Sequence, residues 1–299
     1  MHSINDDQSA SSNISPATFS AAHQKFHAEY GPLAVILGAS EGIGLAFAEE
    51  LARRGFSLIL AARRIAPLRD AAEQLAAQYG VLTEILPLDL AEPDPWPKIE
   101  SVISKRDFGL LIYNAAASPI GEFLDLKLEA ARRTVAVNVA SPLDVLHGAG
   151  NSFRERYRRS GKRGGVILMS SLSGIRGTPY VSTYAATKAW NLVMAEGAGI
   201  EARSQGVDIM ACIAGATDTP GYRDSVTGKG PGAPVQSPKA LASETLNKLG
   251  RRYSMIPGWG NRLTAALIYG WTPRRWIFGI LRKATGGLRH RDDAQLGHK

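Results

Sequence analysis

Residues 33–44, LAVILGASEGIG, form the stretch that decides the fold of this 299-residue chain. The apolar run Leu33–Leu37 predicts a buried strand, and a helix-like stretch follows the segment. Three glycines lie between the strand and the helix, at positions 38, 42 and 44. A glycine turn of this kind lets backbone N–H groups and a helix N-terminus approach a pyrophosphate. The stretch therefore predicts a nucleotide-binding turn, and the alternative is an ordinary connection between a strand and a helix.

The rest of the chain alternates short apolar runs with longer helix-like ones. The predicted strands are Leu33–Leu37, Ser57–Ala61, Leu82–Leu88, Leu110–Asn114, Gly165–Met169, Val207–Ile213 and Tyr253–Ile256. The main predicted helices between them are Ala66–Tyr79, Lys127–Tyr157 and Tyr184–Ser204. Strands that alternate with helices indicate a parallel sheet covered on both faces. We therefore expect an α/β protein with a Rossmann-type doubly wound parallel sheet of about seven strands and helices on both faces.

A second motif, Tyr184-Ala-Ala-Thr-Lys188, lies on a predicted helix, thirteen residues after Ser171. Residues four apart share a helix face, so the lysine ammonium is expected near the tyrosine phenol. A positive charge there lowers the pKa of the tyrosine, which could then exchange a proton with an alcohol or ketone oxygen. The serine hydroxyl could hold the same oxygen. The plainer alternative is a half-buried tyrosine on a helix that happens to carry a lysine.

Together these motifs resemble the short-chain dehydrogenase/reductase superfamily in its single-domain form, from about residue 31 to about residue 220. The residues that carry the resemblance are Gly38-x3-Gly42-Ile43-Gly44, Tyr113-Asn114-Ala-Ala, Asn138, Ser171 and Tyr184-x3-Lys188. The chain departs from the usual pattern at three positions, where Leu37 replaces a threonine, Ala116 a glycine and Ala214 a proline. None of the three departures removes a catalytic group.

The resemblance implies a role for each matched residue. Tyr184 would be the catalytic acid/base, Ser171 would orient the reacting oxygen, and Lys188 would bind the nicotinamide ribose and lower the pKa of the tyrosine. Asn138 would help to anchor a water in a proton relay. The implied cofactor-binding residues are Gly38, Ser40, Gly42, Ile43, Gly44, Arg63, Asp89, Asn114, Tyr184, Lys188, Gly215, Thr217 and Thr219. No metal site is predicted.

Arg63 bears on the choice between NAD and NADP. The family usually places an acidic residue after the second strand, where it pairs with the ribose 2′-hydroxyl of NAD. Here the strand ends in Arg63-Arg64, and a guanidinium suits a 2′-phosphate instead. The sequence therefore favours NADP(H), although Glu41 would repel a phosphate and both arginines could simply be solvated. Asp89, after the third strand, is where the family usually contacts adenine.

The net charge of +8 lies in the carboxyl-terminal region, because residues 250–299 hold ten Lys and Arg but two Asp and Glu. The single cysteine, Cys212, lies in an apolar run and excludes an internal disulfide, which indicates a reducing compartment. No secretory signal or run long enough to span a bilayer is apparent, so a cytoplasmic protein is expected. No recognised motif accompanies the basic charge, so nucleic-acid binding is not predicted.

Three parts of the chain are distinguished: a partly disordered extension (residues 1–30), a Rossmann-type catalytic domain (31–258) and a basic amphipathic tail (259–299). The tail mixes tryptophans and leucines with arginines, which suits a helix on a membrane surface. A helix packed on the body or on a partner subunit is the alternative. The tail and the Tyr30-Gly31-Pro32 lead-in resemble those of hydroxysteroid dehydrogenases and very-long-chain 3-oxoacyl reductases.

The sequence thus predicts an NADP(H)-dependent oxidoreductase that interconverts a ketone and a secondary alcohol, with a lipophilic substrate that is steroid-like or fatty-acyl-like. A non-catalytic NADP(H)-sensing or scaffold protein on the same fold is the alternative, and it would not need Asn138, Ser171, Tyr184 and Lys188 together. A sugar-nucleotide epimerase of the extended type is disfavoured by the glycine spacing. A homo-oligomer is expected, because many relatives pair through the helices that carry Asn138 and Tyr184.

Overall fold

The structure is a computed structural model that describes residues 20–225, 235–272 and 274–285. Residues 1–19 of the predicted, partly disordered extension lie outside these ranges. The same holds for residues 286–299 of the predicted tail and for residues 226–234, which belong to a segment dense in glycine and proline.

Seven parallel strands form one sheet in the order β3-β2-β1-β4-β5-β6-β7, so the predicted fold class is confirmed. The strands are β1 (Leu33–Leu37), β2 (Ser57–Ala62), β3 (Thr83–Pro87), β4 (Phe108–Tyr113), β5 (Gly164–Ser171), β6 (Val207–Ala214) and β7 (Ser254–Met255). The strand order reverses between β1 and β4, which both pair with their neighbours in parallel. In open α/β sheets ligands bind outside the carboxyl ends of the strands at such a reversal.

The helices cover both faces of this sheet. They are α1 (Ala21–Tyr30), α2 (Gly42–Arg53), α3 (Ile65–Tyr79), α4 (Trp96–Ile103), α5 (Leu128–Val135), α6 (Ser141–Ser160), α7 (Ser182–Ala202), α8 (Pro220–Ser225), α9 (Pro238–Leu246), α10 (Trp259–Ala265) and α11 (Arg274–Thr285). Alternate residues of β1 enter separate cores, with Ala34 and Ile36 in one and Val35 and Leu37 in the other. Because successive side chains of a strand point to opposite faces, the continuous apolar run is explained by a strand buried on both sides.

The predicted helix Lys127–Tyr157 is wrong in one respect, because a π-helical turn interrupts it at Ala136–Ala140. The N–H of Ser141 donates to the carbonyl of Ala136, five residues earlier. Pro142 follows, and it has no N–H to donate to the carbonyl of Asn138, four residues before it. The irregular turn carries Asn138, one of the predicted catalytic residues.

The carboxyl-terminal segment continues as α10, a π-helix (Ala266–Trp271) and α11. Ala265, Ile277 and Leu281 are buried, so one face of these helices is covered by the rest of the protein. Within the residues that the structure describes, no helix is long and apolar enough to cross a bilayer.

Candidate active site

Helix α7 brings the Tyr184 and Lys188 side chains to the same face, as their spacing predicts. The Lys188 ammonium lies 5.5 Å from the centroid of the Tyr184 ring, and its Nζ donates a hydrogen bond of 2.7 Å to the carbonyl of Met169 on β5. Lys188 is buried, and this burial lowers its pKa to about 8. A lysine with such a pKa is half-protonated only slightly above neutral pH, so its charge is available to a ligand at physiological pH.

Tyr184 itself departs from the expectation drawn from the sequence. Burial raises the pKa of its phenol, and a hydrogen bond to Ser171 acts in the opposite direction. The sequence predicts that Lys188 lowers the pKa of this tyrosine, but in this structure burial outweighs the lowering influences and leaves the pKa of Tyr184 raised. Ser171 is therefore the group that favours the phenolate here.

Ser171 ends β5 and begins a short 3-10 turn, Leu172–Ile175. Its Oγ accepts hydrogen bonds from the backbone N–H of Ser173, at 3.3 Å, and from the Ser173 hydroxyl, at 2.9 Å. The sequence pointed to Ser171 but not to Ser173. The spacing S-x-S at the end of a strand is the signal that could have identified the second serine.

Asn138 is fully buried in the π-helical turn. Its amide pairs with the backbone of Ala117 in both directions, at 2.9 Å each. Its Nδ2 also donates to Thr187 Oγ1 at 3.0 Å, and that threonine hydroxyl donates to the Tyr184 carbonyl at 2.7 Å. Asn138 is thus joined to the catalytic helix through Thr187, which sequence reasoning missed although it lies inside the Tyr184–Lys188 motif.

The glycine turn after β1 has the backbone conformation that its glycines predict. Gly38 and Gly42 have φ angles of 85° and 60°, which residues other than glycine rarely adopt. A Cβ at Gly44 would lie 1.9 Å from the Gly38 carbonyl oxygen. The side chain of Asn114 donates to that oxygen at 2.8 Å and so joins the end of β4 to the turn.

The N-terminus of α2 lies open beside this turn. Glu41 is its N-cap residue and makes no side-chain capping hydrogen bond, and the first turn holds no acidic residue. Ser40 is half-buried before it, and Ile43 packs against one of the two cores. The N-terminus of a helix attracts phosphate, because its first N–H groups have no partner within the helix and carry the positive end of the helix dipole. The residues around the uncapped start of α2 therefore fit the pyrophosphate of a dinucleotide.

Arg63 is exposed just after β2. The pKa of Asp89 is lowered, although burial opposes the shift, by the Ala91 N–H, by Arg133 and to the smallest extent by the charge of Arg63. Arg133 on α5 forms a bidentate ion pair with the same carboxylate, at 2.9 and 3.0 Å. Arg64 pairs with Glu41 at 2.7 Å, and both side chains are about half exposed. The carboxylate that was expected to repel a 2′-phosphate is therefore partly neutralised, and Arg63 stands close to the predicted adenine position.

The loop after β6 lies against the glycine turn. A Cβ at Gly42 would lie 3.1 Å from the methyl group of Thr219. The Thr219 hydroxyl accepts the Tyr222 N–H at the start of α8, and the buried Thr217 hydroxyl donates to the Gly215 carbonyl at 3.0 Å. The two predicted cofactor segments thus meet at one edge of the sheet.

The carboxyl-terminal segment contacts both loops of the site. Asn261 on α10 is buried and lies close to Gly215. A Cβ added at Gly215 would be 2.3 Å from the Oδ1 atom of Asn261. Farther on, the Tyr269 hydroxyl donates to the carbonyl of Leu172, the residue after Ser171, at 3.0 Å. Neither Asn261 nor Tyr269 was predicted from the sequence, since these contacts span long separations in the chain.

All the predicted site residues lie at the carboxyl edge of the parallel sheet. A glycine turn against an open helix N-terminus, next to a Ser-Tyr-Lys cluster held by a buried asparagine, defines a dinucleotide-binding α/β protein with an acid/base centre. A family model described as short chain dehydrogenase matches residues 32–229. The chain belongs to the short-chain dehydrogenase family and is an oxidoreductase of that family with a nicotinamide dinucleotide, NAD(P)(H), as its cofactor.

Curated relatives and solved structures agree with this assignment. The chain is 30% identical to a 7β-hydroxysteroid dehydrogenase of Mediterraneibacter gnavus over 81% of this chain and 91% of that protein. It is 29% identical to a very-long-chain 3-oxoacyl-CoA reductase of Pyricularia oryzae over 78% and 71% of the two chains. The expected resemblance to these two groups is therefore confirmed.

A structure from a study of 7β-hydroxysteroid dehydrogenase stereoselectivity superposes with a TM-score of 0.77, at 27% identity, over 86% of this chain and 98% of the other. A short-chain dehydrogenase from Sphingobium yanoikuyae in complex with NADPH gives a TM-score of 0.66 at 28% identity, over 76% and 87%.

Proposed function

We propose that this protein is an NADP(H)-dependent oxidoreductase that interconverts a ketone and a secondary alcohol on a lipophilic substrate. The observation that carries the proposal is the convergence of Ser171, Tyr184 and Lys188 beside an open dinucleotide turn. Asn138 is joined to the helix that carries Tyr184 and Lys188, because it donates to Thr187, whose hydroxyl donates to the backbone carbonyl of Tyr184. The Ser171 hydroxyl and the Lys188 ammonium both lie beside the Tyr184 side chain, an arrangement suited to proton transfer at a single oxygen.

Each catalytic residue has a proposed task. Tyr184 gives its phenolic proton to the carbonyl oxygen during reduction and takes it back during oxidation, while Ser171 hydrogen-bonds the same oxygen. Lys188 holds the nicotinamide ribose, and its ammonium, 5.5 Å from the centroid of the Tyr184 ring, favours the phenolate. Asn138 keeps the π-helical turn in place and holds a relay water through its fixed amide.

The cofactor, when bound, supplies or accepts the hydride. Gly38, Ser40, Gly42, Ile43 and Gly44 would hold its pyrophosphate with backbone N–H groups. Asn114 and Asp89 would border the adenosine half, and Gly215, Thr217 and Thr219 would border the nicotinamide half. The uncapped N-terminus of α2 supports this assignment, because its N–H groups need an acceptor.

A preference for NADP(H) rests on the basic groups after β2. Arg63 is exposed, and the nearby Asp89 carboxylate is already bound by Arg133. Arg64 lies within reach of the same region and holds Glu41. Two guanidinium groups at the ribose position match a 2′-phosphate. The relative that was solved with NADPH supports the same choice.

The proposed substrate class follows from the named relatives, which act on hydroxysteroids and on 3-oxoacyl-CoA. The test is a panel of steroid ketones, 3-oxoacyl thioesters and small ketones, with the matching alcohols, followed at the nicotinamide absorbance with both cofactors. Turnover of a bulky apolar ketone with NADPH, faster than that of small ketones, supports the proposal. Turnover confined to small polar sugars would overturn the substrate class.

The alternative is a protein that senses NADP(H) without turnover. It predicts that NADPH binds with a measurable affinity while no member of the panel is reduced, and that Tyr184→Phe changes nothing in any functional assay. The Ser171–Tyr184 contact argues against it, because a sensor does not need a hydroxyl that tunes the tyrosine. Calorimetric titration with NADPH beside the turnover assay separates the two.

We also propose that the enzyme is a homo-oligomer that pairs through α6 and α7. Val193 and Ile200 on α7 are 68% and 62% exposed, and they share a face because they lie seven residues apart. Leu143 on α6 is also exposed. Light scattering should give a dimer or tetramer, and Val193→Glu should dissociate it, whereas Leu82→Glu at an exposed leucine near β3 should not.

A peripheral membrane contact through the outer face of α10 is a further part of the proposal. Trp259 and Leu263, four residues apart, are 77% and 52% exposed, while Asn261 and Ala265 face the body. Vesicles with anionic lipid should sediment the protein at low salt and release it at high salt, because salt screens the basic residues. The double variant Trp259→Ser/Leu263→Ser should lose binding, with Leu82→Ser as control.

We propose a cytoplasmic location because the sequence contains a single cysteine. Cys212 is buried on β6, where burial raises the pKa of its thiol to about 12 and a hydrogen bond of 3.3 Å joins its sulfur to the Thr245 hydroxyl. A thiol of this kind stays protonated and inert, which supports a role in packing. A protein that relies on no disulfide is typical of a reducing compartment.

A further inference from the structure

The hydroxyl of Ser171 has nearly all of its hydrogen-bonding capacity engaged by one neighbour. A serine hydroxyl offers one proton and two lone pairs. One lone pair accepts the backbone N–H of Ser173 at 3.3 Å, and the other accepts the Ser173 hydroxyl proton at 2.9 Å. Ser171 therefore has only its own hydroxyl proton left for a further hydrogen bond, and the side chain next to that hydroxyl is Tyr184.

The turn that carries Ser173 is held in place independently of the two hydroxyls. The Thr178 hydroxyl donates to the Ser173 carbonyl at 3.1 Å. Gly174 presses against the backbone of α7, since a Cβ there would lie 2.7 Å from the Ala189 nitrogen and from the carbonyl carbon of Lys188. The turn is therefore fixed against the helix that carries the catalytic tyrosine, and Ser173 cannot drift away from Ser171.

We propose that Ser173 is a positioning residue that fixes the direction of the Ser171 hydroxyl, so that Ser171 donates its proton into the active site and does not accept one there. The inference rests on the proposed role of Tyr184 as acid/base. A Ser171 that only donates stabilises the phenolate of Tyr184 and the negative charge that develops on the substrate oxygen. A Ser171 with a free lone pair could turn and accept the phenolic proton, which stabilises the phenol instead.

Other charged and titratable groups near Tyr184 lie on its own helix and on neighbouring elements. Lys188 is on the same helix, with its ammonium 5.5 Å from the ring centroid. Arg176 follows the 3-10 turn, Tyr269 on the π-helix donates to Leu172, and Cys212 on β6 lies near Lys188. Ser173→Ala changes none of these charges, so a shift in the titration of Tyr184 would come from the hydrogen bonds of Ser171.

The test compares Ser173→Ala with Ser173→Thr, which keeps a hydroxyl. The phenolate of Tyr184 is titrated by ultraviolet difference absorbance in each background, with a matched Tyr184→Phe partner subtracted to remove the other tyrosines. Ser173→Ala should raise the midpoint by about half to one pH unit, a threefold to tenfold change in proton affinity. Ser173→Thr should leave the midpoint near the wild-type value, and thermal unfolding confirms that each variant is folded.

The same shift should appear in the pH dependence of kcat/KM for alcohol oxidation, with KM little changed because Ser173 acts through the Ser171 hydroxyl. An unchanged or lowered midpoint in Ser173→Ala, or an equal shift in Ser173→Thr, overturns the inference. The absorbance titration needs no substrate. If no alcohol is oxidised, the proposed function fails while the titration still decides the role of Ser173.

Discussion

Two regions border the same site but are built in different ways. One is the glycine turn after β1, and the other is the carboxyl-terminal segment, which consists of α10 and the following π-helix. The turn owes its shape to positive φ angles at Gly38 and Gly42, which glycine adopts readily because it has no Cβ. The carboxyl-terminal segment is held by side chains that reach residues far away, such as Tyr269 to Leu172, 97 positions apart. The backbone conformation of the cofactor side is therefore encoded by its own glycines, although Asn114 and Thr219 also pack against it. The substrate side depends on long-range side-chain contacts.

Tyr184 stands between these two regions, and its loss should have the largest effect. Tyr184→Phe removes the oxygen that transfers the proton, so kcat should fall by about 10²–10⁴-fold. Cofactor affinity, measured by calorimetry, should stay within a factor of about three, because the glycine turn is untouched. A variant that keeps more than about a tenth of the wild-type kcat would refute the acid/base assignment.

The rigidity of the turn can be tested with a single methyl group. Gly44→Ala would place a Cβ 1.9 Å from the Gly38 carbonyl oxygen, so the free energy of unfolding should fall by about 3 kcal/mol and NADPH binding should be lost. The matched control is Gly150→Ala within α6, where a Cβ meets nothing within 4 Å. That variant should stabilise the protein by about 0.5–1 kcal/mol. Equal effects in the two variants would show that the turn is not closely packed.

Arg63→Asp tests the cofactor side more finely. The variant removes a cation from the ribose position and adds a carboxylate, so the ratio of kcat/KM for NADPH over NADH should fall more than about tenfold, or about 1.4 kcal/mol. Arg69→Asp, at an exposed arginine of α3, makes the same change of charge and should leave the ratio unaltered. If both variants shift the ratio alike, general electrostatics and not Arg63 sets the preference.

The smallest effect is expected on the substrate side. Tyr269→Phe removes one hydrogen bond to Leu172, which should lower the free energy of unfolding by about 1 kcal/mol. KM should rise severalfold for bulky ketones and stay constant for small ones, because only bulky substrates extend to the loosened segment. Tyr157→Phe, on an exposed part of α6, is the control. No change in KM for any ketone would place the segment outside the substrate region.

Much of the fold and of the site could be predicted from the sequence, because each sequence pattern spans few residues. The buried run Leu33–Leu37, the glycine spacing and the Tyr184–Lys188 interval each fix a local geometry. The π-helical turn at Asn138 was missed, because an extra residue in one helical turn leaves the apolar pattern nearly unchanged. The engagement of Lys188 by Met169 was also missed, because a strand and a helix meet there only in the folded protein.

The sequence by itself determined the strand and helix order, the nucleotide turn and the residue types of the catalytic cluster, since these follow from periodicity, glycine geometry and fixed spacing along the chain. Only the tertiary structure decided what surrounds them. It set the pKa of Tyr184 through burial and Ser171, joined Asn138 to α7 through Thr187, and laid Asn261 and Tyr269 against the catalytic loops. Burial and hydrogen bonding between distant segments arise when the chain packs, so no local pattern contains them.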